Sequence, residues 1–121
     1  MEHKQIELEN ELDQILSELC MAPTDHRDFG WLQEVILMAV RHPVIWELQY
    51  AEYIGKRENI TRERIRQILH KAVWNNWKAD SGEIIKNHFG ADVQMNFEYV
   101  KPNDVEFIKL IADNLREKHH I

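Results

Sequence analysis

The sequence is poor in cysteine, proline and glycine, and each shortage narrows the range of possible folds. Cys20 is the only cysteine in 121 residues, so no intrachain disulfide can form. Such usage is typical of a reducing compartment, and we expect a cytoplasmic protein. Three prolines and four glycines leave long stretches without helix breakers. No apolar run approaches the roughly 20 residues that a spanning helix needs, so we expect no membrane partner.

Recognisable catalytic and metal-binding motifs are also missing. The seven histidines are scattered, and no pair has ligand spacing beside a carboxylate on one helix face. There is no phosphate-binding glycine loop and no nucleophile elbow. Cys20 has no base near it in sequence and is more typical of a small apolar filler than of a nucleophile. We therefore expect no catalytic residue, no metal and no cofactor.

Positive charge is scarce overall and concentrated in one place. The chain has 21 acidic and 15 basic residues, a net charge of −6. Residues 55–78 nevertheless carry a net of +5, so the remainder carries −11. Screening confines such a local field to about 8–10 Å, and a basic surface on an acidic body still permits a nucleic-acid partner. Solvation of an ordinary helix face explains the same charges equally well.

Helical spacing of apolar residues dominates what remains. It predicts an all-α, six-helix single domain over residues 1–121, with connecting segments at 23–30 and 91–102. The second connection has some strand character. The predicted helices span about 4–20, 30–41, 43–57, 61–78, 82–89 and 104–118.

The fourth predicted helix holds most of the positive charge. Thr61 is a favourable N-cap residue. The buried stripe is predicted to consist of Ile65, Ile68, Leu69, Ala72, Val73, Asn76 and Trp77. The opposite, outward face is predicted to carry Glu63, Gln67, His70, Lys71 and Trp74, with Arg64 and Arg66 on its two flanks.

Two helices joined by a tight polar connection, over about 43–78, form the pattern of a helix-turn-helix. A helix fits the major groove of DNA, where Arg pairs with guanine and Gln with adenine through two hydrogen bonds each. Lys and His further along can reach phosphates. Exposed helices with Arg and Gln are also common in proteins that do not bind DNA, so the pattern leaves both readings open.

Four segments carry a resemblance to a known family: "WLQEVILMAV", "ITRERIRQILHKAVWNNW", "HFG" and "KPNDVEFIKLIADNLREKH". Over residues 12–120 or so they resemble the C-terminal DNA-binding domain of the stage zero sporulation protein A family of bacterial response regulators. The resemblance implies a six-helix effector domain whose fourth helix enters the major groove. It also implies a homodimer on double-stranded DNA, to which the last helix would contribute, and a contact with RNA polymerase or a sigma factor.

The resemblance also assigns roles on the fourth helix. Arg64 matches the family's first base-reading arginine, whereas Arg66 stands where the family has Glu, and Gln67 where it has Arg. We expect these three to read bases with a changed preference. His70, which replaces a family arginine, is expected to contact the DNA backbone together with Arg62 and Lys71.

Other segments depart further from the family. The segment Asp80–Phe89, which matches the family's polymerase contact, diverges strongly. Since the chain begins at Met1 with an acidic helix, we expect a domain that stands alone without a phosphorylatable receiver. The sequence thus predicts a sequence-specific transcriptional regulator. The alternative is an interaction module of the same fold that has lost DNA binding and modulates a full-length regulator.

Overall fold

The computed structural model describes residues 2–19, 21, 26–42, 46–90, 93 and 101–121. Within these ranges the protein is all-helical and contains no strand. None of the helices there has the length and apolarity required to cross a membrane. The six helices are α1 (Glu2–Glu18), α2 (His26–Arg41), α3 (Trp46–Glu58), α4 (Arg62–Asn76), α5 (Ser81–Phe89) and α6 (Asp104–Lys118).

The all-α class and the six helices predicted from spacing are confirmed, with one error in the connections. The segment 23–30 was predicted as a loop, but α2 already begins at His26. A single glycine such as Gly30 costs a helix only about 1 kcal/mol. Burial of the residues that follow it in α2, such as Trp31, Leu32 and Val35, outweighs that cost. Residues 23–25, Pro43 and most of the predicted connection 91–102 lie outside the described residues.

The core forms around α2 and α6, which pack against each other more extensively than any other pair. Their apolar stripes are fully buried, including Trp31 and Val35 on α2 and Phe107 and Ile111 on α6. Arg116 of α6 donates hydrogen bonds to the carbonyls of Ala39 and Val40, each at 3.3 Å. These carbonyls belong to the last turn of α2, where helix geometry leaves them unpaired and the dipole favours a cation.

Burial of the α6 stripe bears on the expected dimer. Leu115 and the other apolar residues of this helix are buried inside the single chain, except for the partly buried Val105. The stripe is therefore unavailable to a second copy, and any dimer formed through α6 would use its polar side. The dimer itself stays a prediction.

A three-residue turn joins α3 to α4 at close quarters. Asn59 adopts a left-handed conformation (φ 57°), and the Ile60 amide donates to the Gly55 carbonyl at 2.9 Å. This is the Schellman arrangement that commonly ends a helix. A Cβ at Gly55 would lie 2.6 Å from the Ile60 carbonyl oxygen, which belongs to the backbone. Glycine at this position lets the chain reverse tightly enough to bring α4 onto α3.

We expect Gly55→Ala to destabilise the protein by about 1–3 kcal/mol, because the added methyl group overpacks a rigid turn. The helix propensity of alanine acts in the opposite direction but is smaller. Gly30→Ala is the matched control, since a Cβ there meets nothing within 4 Å. That variant should gain about 0.5–1 kcal/mol. Urea unfolding of both variants measures the difference; equal effects would contradict the close contact.

The C-terminal end of α6 is tied to α1 through one carboxylate. Glu11 accepts hydrogen bonds from Lys118 and from His119, the latter at 2.5 Å. Burial raises the pKa of Glu11, but the hydrogen bonds and positive charges of these two partners outweigh it and leave the pKa below its ordinary value of 4.5. The ionised form of Glu11 therefore stabilises the fold.

The lowered pKa of Glu11 sets a pH window for this stabilisation. It is fully present above the ordinary pKa of 4.5 and is lost as pH falls through the lower folded-state value. Glu11→Gln should therefore cost stability at neutral pH, and the difference from wild type should shrink in acid. Denaturant unfolding at several pH values tests this, with the exposed Glu7→Gln on the same helix as control. A difference that does not depend on pH would rule out the charge as its cause.

Candidate nucleic-acid interface

The orientation of α4 is fixed by one buried stripe. Ile65, Leu69 and Val73 are fully inaccessible to solvent, and Ile68 and Ala72 nearly so. They pack toward α2, α3 and α6, the helices that contact α4. Trp77, just past the end of α4, meets Phe107 edge-on with ring centroids 6.3 Å apart. The predicted stripe is confirmed except for Asn76, which is half-buried.

The opposite side of α4 faces solvent. Glu63, Gln67, His70 and Trp74 follow one another at spacings of four, three and four residues, which places them along a single line. All four are exposed, as the sequence predicted. Arg66 and Arg64 lie on either side of that line and are also exposed. The helix thus presents a polar, donor-rich surface over about three turns.

Part of this surface is concave. A groove of about 380 Å³ runs along α4 toward the start of α6. Its lining combines donors and acceptors: Glu63, Arg66, Gln67, His70, Lys71 and Asp104. Four of the six predicted DNA-contacting residues are therefore brought together here. The other two, Arg62 and Arg64, are exposed on α4 but do not line the groove.

The first turn of α4 is organised by its cap. The Thr61 hydroxyl accepts a hydrogen bond from the Arg64 amide at 3.2 Å, as expected for an N-cap residue. Arg62 lies 3.6 Å from Glu63, and the two side chains are 49% and 70% exposed. An exposed pair of this kind is weak, so neither side chain is committed to the other.

His70 is more constrained than its neighbours on the outward line. Its Nδ1 atom lies 3.7 Å from a carboxylate oxygen of Asp104, which is nearly buried at the start of α6. Its ring also stacks on Trp74, with centroids 5.7 Å apart and planes 20° from parallel. The His70 side chain is therefore held by two neighbours, and one of its nitrogens already faces an acid.

Free and neutralised cations are distributed unevenly. Arg57 on α3 donates to Glu34 at 2.6 Å and to Glu58 at 3.0 Å. The Glu34 hydrogen bond is the main reason why the pKa of Arg57 is raised above its ordinary value. In contrast, Arg64, Arg66 and Lys71 form no ion pair with any residue in the described ranges. Their charges remain available to a ligand.

Three residues around this surface were not included in the predicted site. Glu63 was predicted to face outward but was given no role, although it lines the groove. Asp104 was given no role in the predicted site, and its approach to His70 depends on the packing of α6 beside α4. Lys101 precedes α6 and places its ammonium nitrogen 5.1 Å from the centre of the Trp74 ring. No local sequence pattern indicates a contact between residues 27 positions apart.

Among the described residues no group of three or more His, Cys, Asp or Glu side chains could hold a metal ion.

Comparison with known proteins finds no family model that matches the chain and no solved structure that matches it. The resemblance to the sporulation regulator family therefore stays a prediction, carried by the sequence segments quoted above.

Proposed function

We propose that the protein binds double-stranded DNA in a sequence-specific manner and regulates transcription, with α3 and α4 acting as a helix-turn-helix. The observation that carries this proposal is the outward surface of α4, on which Arg64, Arg66 and Lys71 form no ion pair with any described residue. The three-residue turn and the tight approach at Gly55 support the motif.

Chemistry suggests a division of labour along α4. Side chains near the N-terminal end of a recognition helix reach base edges most directly, which favours base reading by Arg64, Arg66 and Gln67. Arginine at position 66 supplies donors where the resembled family has an acceptor, so guanine or phosphate is favoured there over cytosine. Arg62, His70 and Lys71 are proposed to contact phosphates.

The acidic remainder of the chain fits the same role. Outside residues 55–78 the net charge is −11, and such a surface repels the DNA backbone. Only the basic surface of α4 can then approach a duplex closely. We infer that non-specific affinity is low and that the orientation on DNA is restricted to one face. A homodimer on DNA and a contact of α5 with RNA polymerase or a sigma factor remain part of the proposal by resemblance alone.

The proposal is tested on a duplex selected from a random pool by the wild-type protein at moderate salt. Arg64→Ala should cost about 1–3 kcal/mol on this duplex and relax the preference at one base pair. Lys71→Ala should weaken all duplexes alike and lower the salt dependence by about one ion. Electrophoretic or fluorescence titration across several salt concentrations measures both effects.

Arg41→Ala is the matched control for these variants. Arg41 is exposed at the end of α2 and contacts Gln5 of α1. Its replacement by alanine removes one positive charge, as Arg64→Ala and Lys71→Ala do, but from another part of the surface. It should leave selectivity unchanged. If the wild-type protein selects no duplex and shows no salt-dependent binding even at low ionic strength, the DNA-binding proposal is wrong.

A second candidate function rests on one observation. Trp74 is 43% exposed on the same face of α4, and exposed aromatic residues are enriched in protein interfaces. The candidate is an interaction module of this fold that modulates a full-length regulator without binding DNA. Absence of duplex binding together with loss of partner binding in Trp74→Ala would favour it.

A further inference from the structure

Trp74 and Lys101 meet across a long separation in sequence. Trp74 lies in the last third of α4, whereas Lys101 precedes the N-cap of α6 by two residues. The Lys101 ammonium nitrogen lies 5.1 Å from the centre of the Trp74 ring, within the range of a cation–π contact. The same ring is stacked against His70, so Trp74 is itself held in place.

This contact orders the lysine without consuming its charge. An isolated lysine has a flexible four-carbon stem and loses much rotamer freedom when it binds a phosphate. The attraction to the ring restricts that freedom before any ligand arrives, while the ammonium keeps its donors for a phosphate oxygen. No described carboxylate forms an ion pair with Lys101. Lys118 differs in this respect, because Glu11 accepts a hydrogen bond from its ammonium.

The position of the pair extends the surface described above. Trp74 continues the line of Glu63, Gln67 and His70, so Lys101 stands at the C-terminal end of the outward face. Glu63 and Trp74 are about 16 Å apart along the helix axis at 1.5 Å per residue. A helix that places its N-terminal turns against base edges brings a side chain at this distance toward the DNA backbone.

We propose that Trp74 holds Lys101 as a phosphate contact at the C-terminal end of the α4 surface. Lys101 is the binding residue, and Trp74 is a positioning residue that acts through it. This inference rests on the proposed DNA-binding function and adds a second segment of the chain, the one preceding α6, to the interface. It also gives the exposed Trp74 a role that does not require a protein partner.

The test compares salt dependence on the duplex that the wild-type protein selects. Lys101→Ala should lower the slope of log affinity against log salt by about one ion. Trp74→Leu should lower the affinity and should reduce the slope by less than Lys101→Ala does, because Lys101 is still present but no longer ordered. Trp74→Tyr should restore binding, since tyrosine also offers a cation–π face. The double variant Lys101→Ala, Trp74→Leu should bind no more weakly than Lys101→Ala alone.

Lys109→Ala is the control, because Lys109 is an exposed lysine on the polar side of α6. It should leave the slope unchanged, and thermal unfolding of every variant verifies that each is folded. A slope for Lys101→Ala equal to that of Lys109→Ala, or additive losses in the double variant, would overturn the proposed Trp74–Lys101 phosphate contact while leaving Arg64-dependent binding intact. Absence of binding by the wild type would instead overturn the DNA-binding proposal, and the proposed Trp74–Lys101 phosphate contact with it.

Discussion

Burial of one apolar stripe of α4 determines what the rest of its surface can do. Ile65, Leu69 and Val73 are inaccessible, so the helix cannot rotate about its axis without exposing them to water. Full burial of such a side chain stabilises a fold by about 1.5–3 kcal/mol, and three of them give α4 a single orientation. The outward line from Glu63 to Trp74 follows from that constraint, as does the position of every charge on it.

The fold neutralises its cations selectively. Arg57 is paired with two carboxylates. Arg116 forms an ion pair with Asp113 and donates hydrogen bonds to the carbonyls that end α2. Both serve packing between helices. Arg64, Arg66 and Lys71 form no ion pair within the described part of the chain. Because these three cations lie close together on the exposed side of α4, they support the proposed contact with an anionic partner such as duplex DNA.

The sequence predicted the parts of the fold that depend on local patterns. The buried residues Leu69 and Val73 and the cap Thr61 follow from 3.6-residue periodicity and from side-chain chemistry at helix ends, and they are found as predicted. The start of α2 at His26 was missed, because Gly30 reads locally as a break while tertiary packing keeps the helix intact.

The candidate site was predictable to a similar extent. The exposure of Arg64, Arg66, Gln67 and Lys71 follows from their angular position on α4 alone. The approach of Asp104 to His70 and of Lys101 to Trp74 does not, since each depends on how α6 and the segment before it are placed beside α4. Local periodicity contains no information about such contacts, and only the packed structure reveals them.

We propose that the outward face of α4 is the surface that meets DNA. Titration of the isotopically labelled protein with its selected duplex, followed by amide NMR shifts, tests this claim most directly. We expect the largest changes on residues 61–75 and on Lys101, with α1 unaffected. Changes concentrated on α1 or α5, or no change at any residue under low salt, would contradict it.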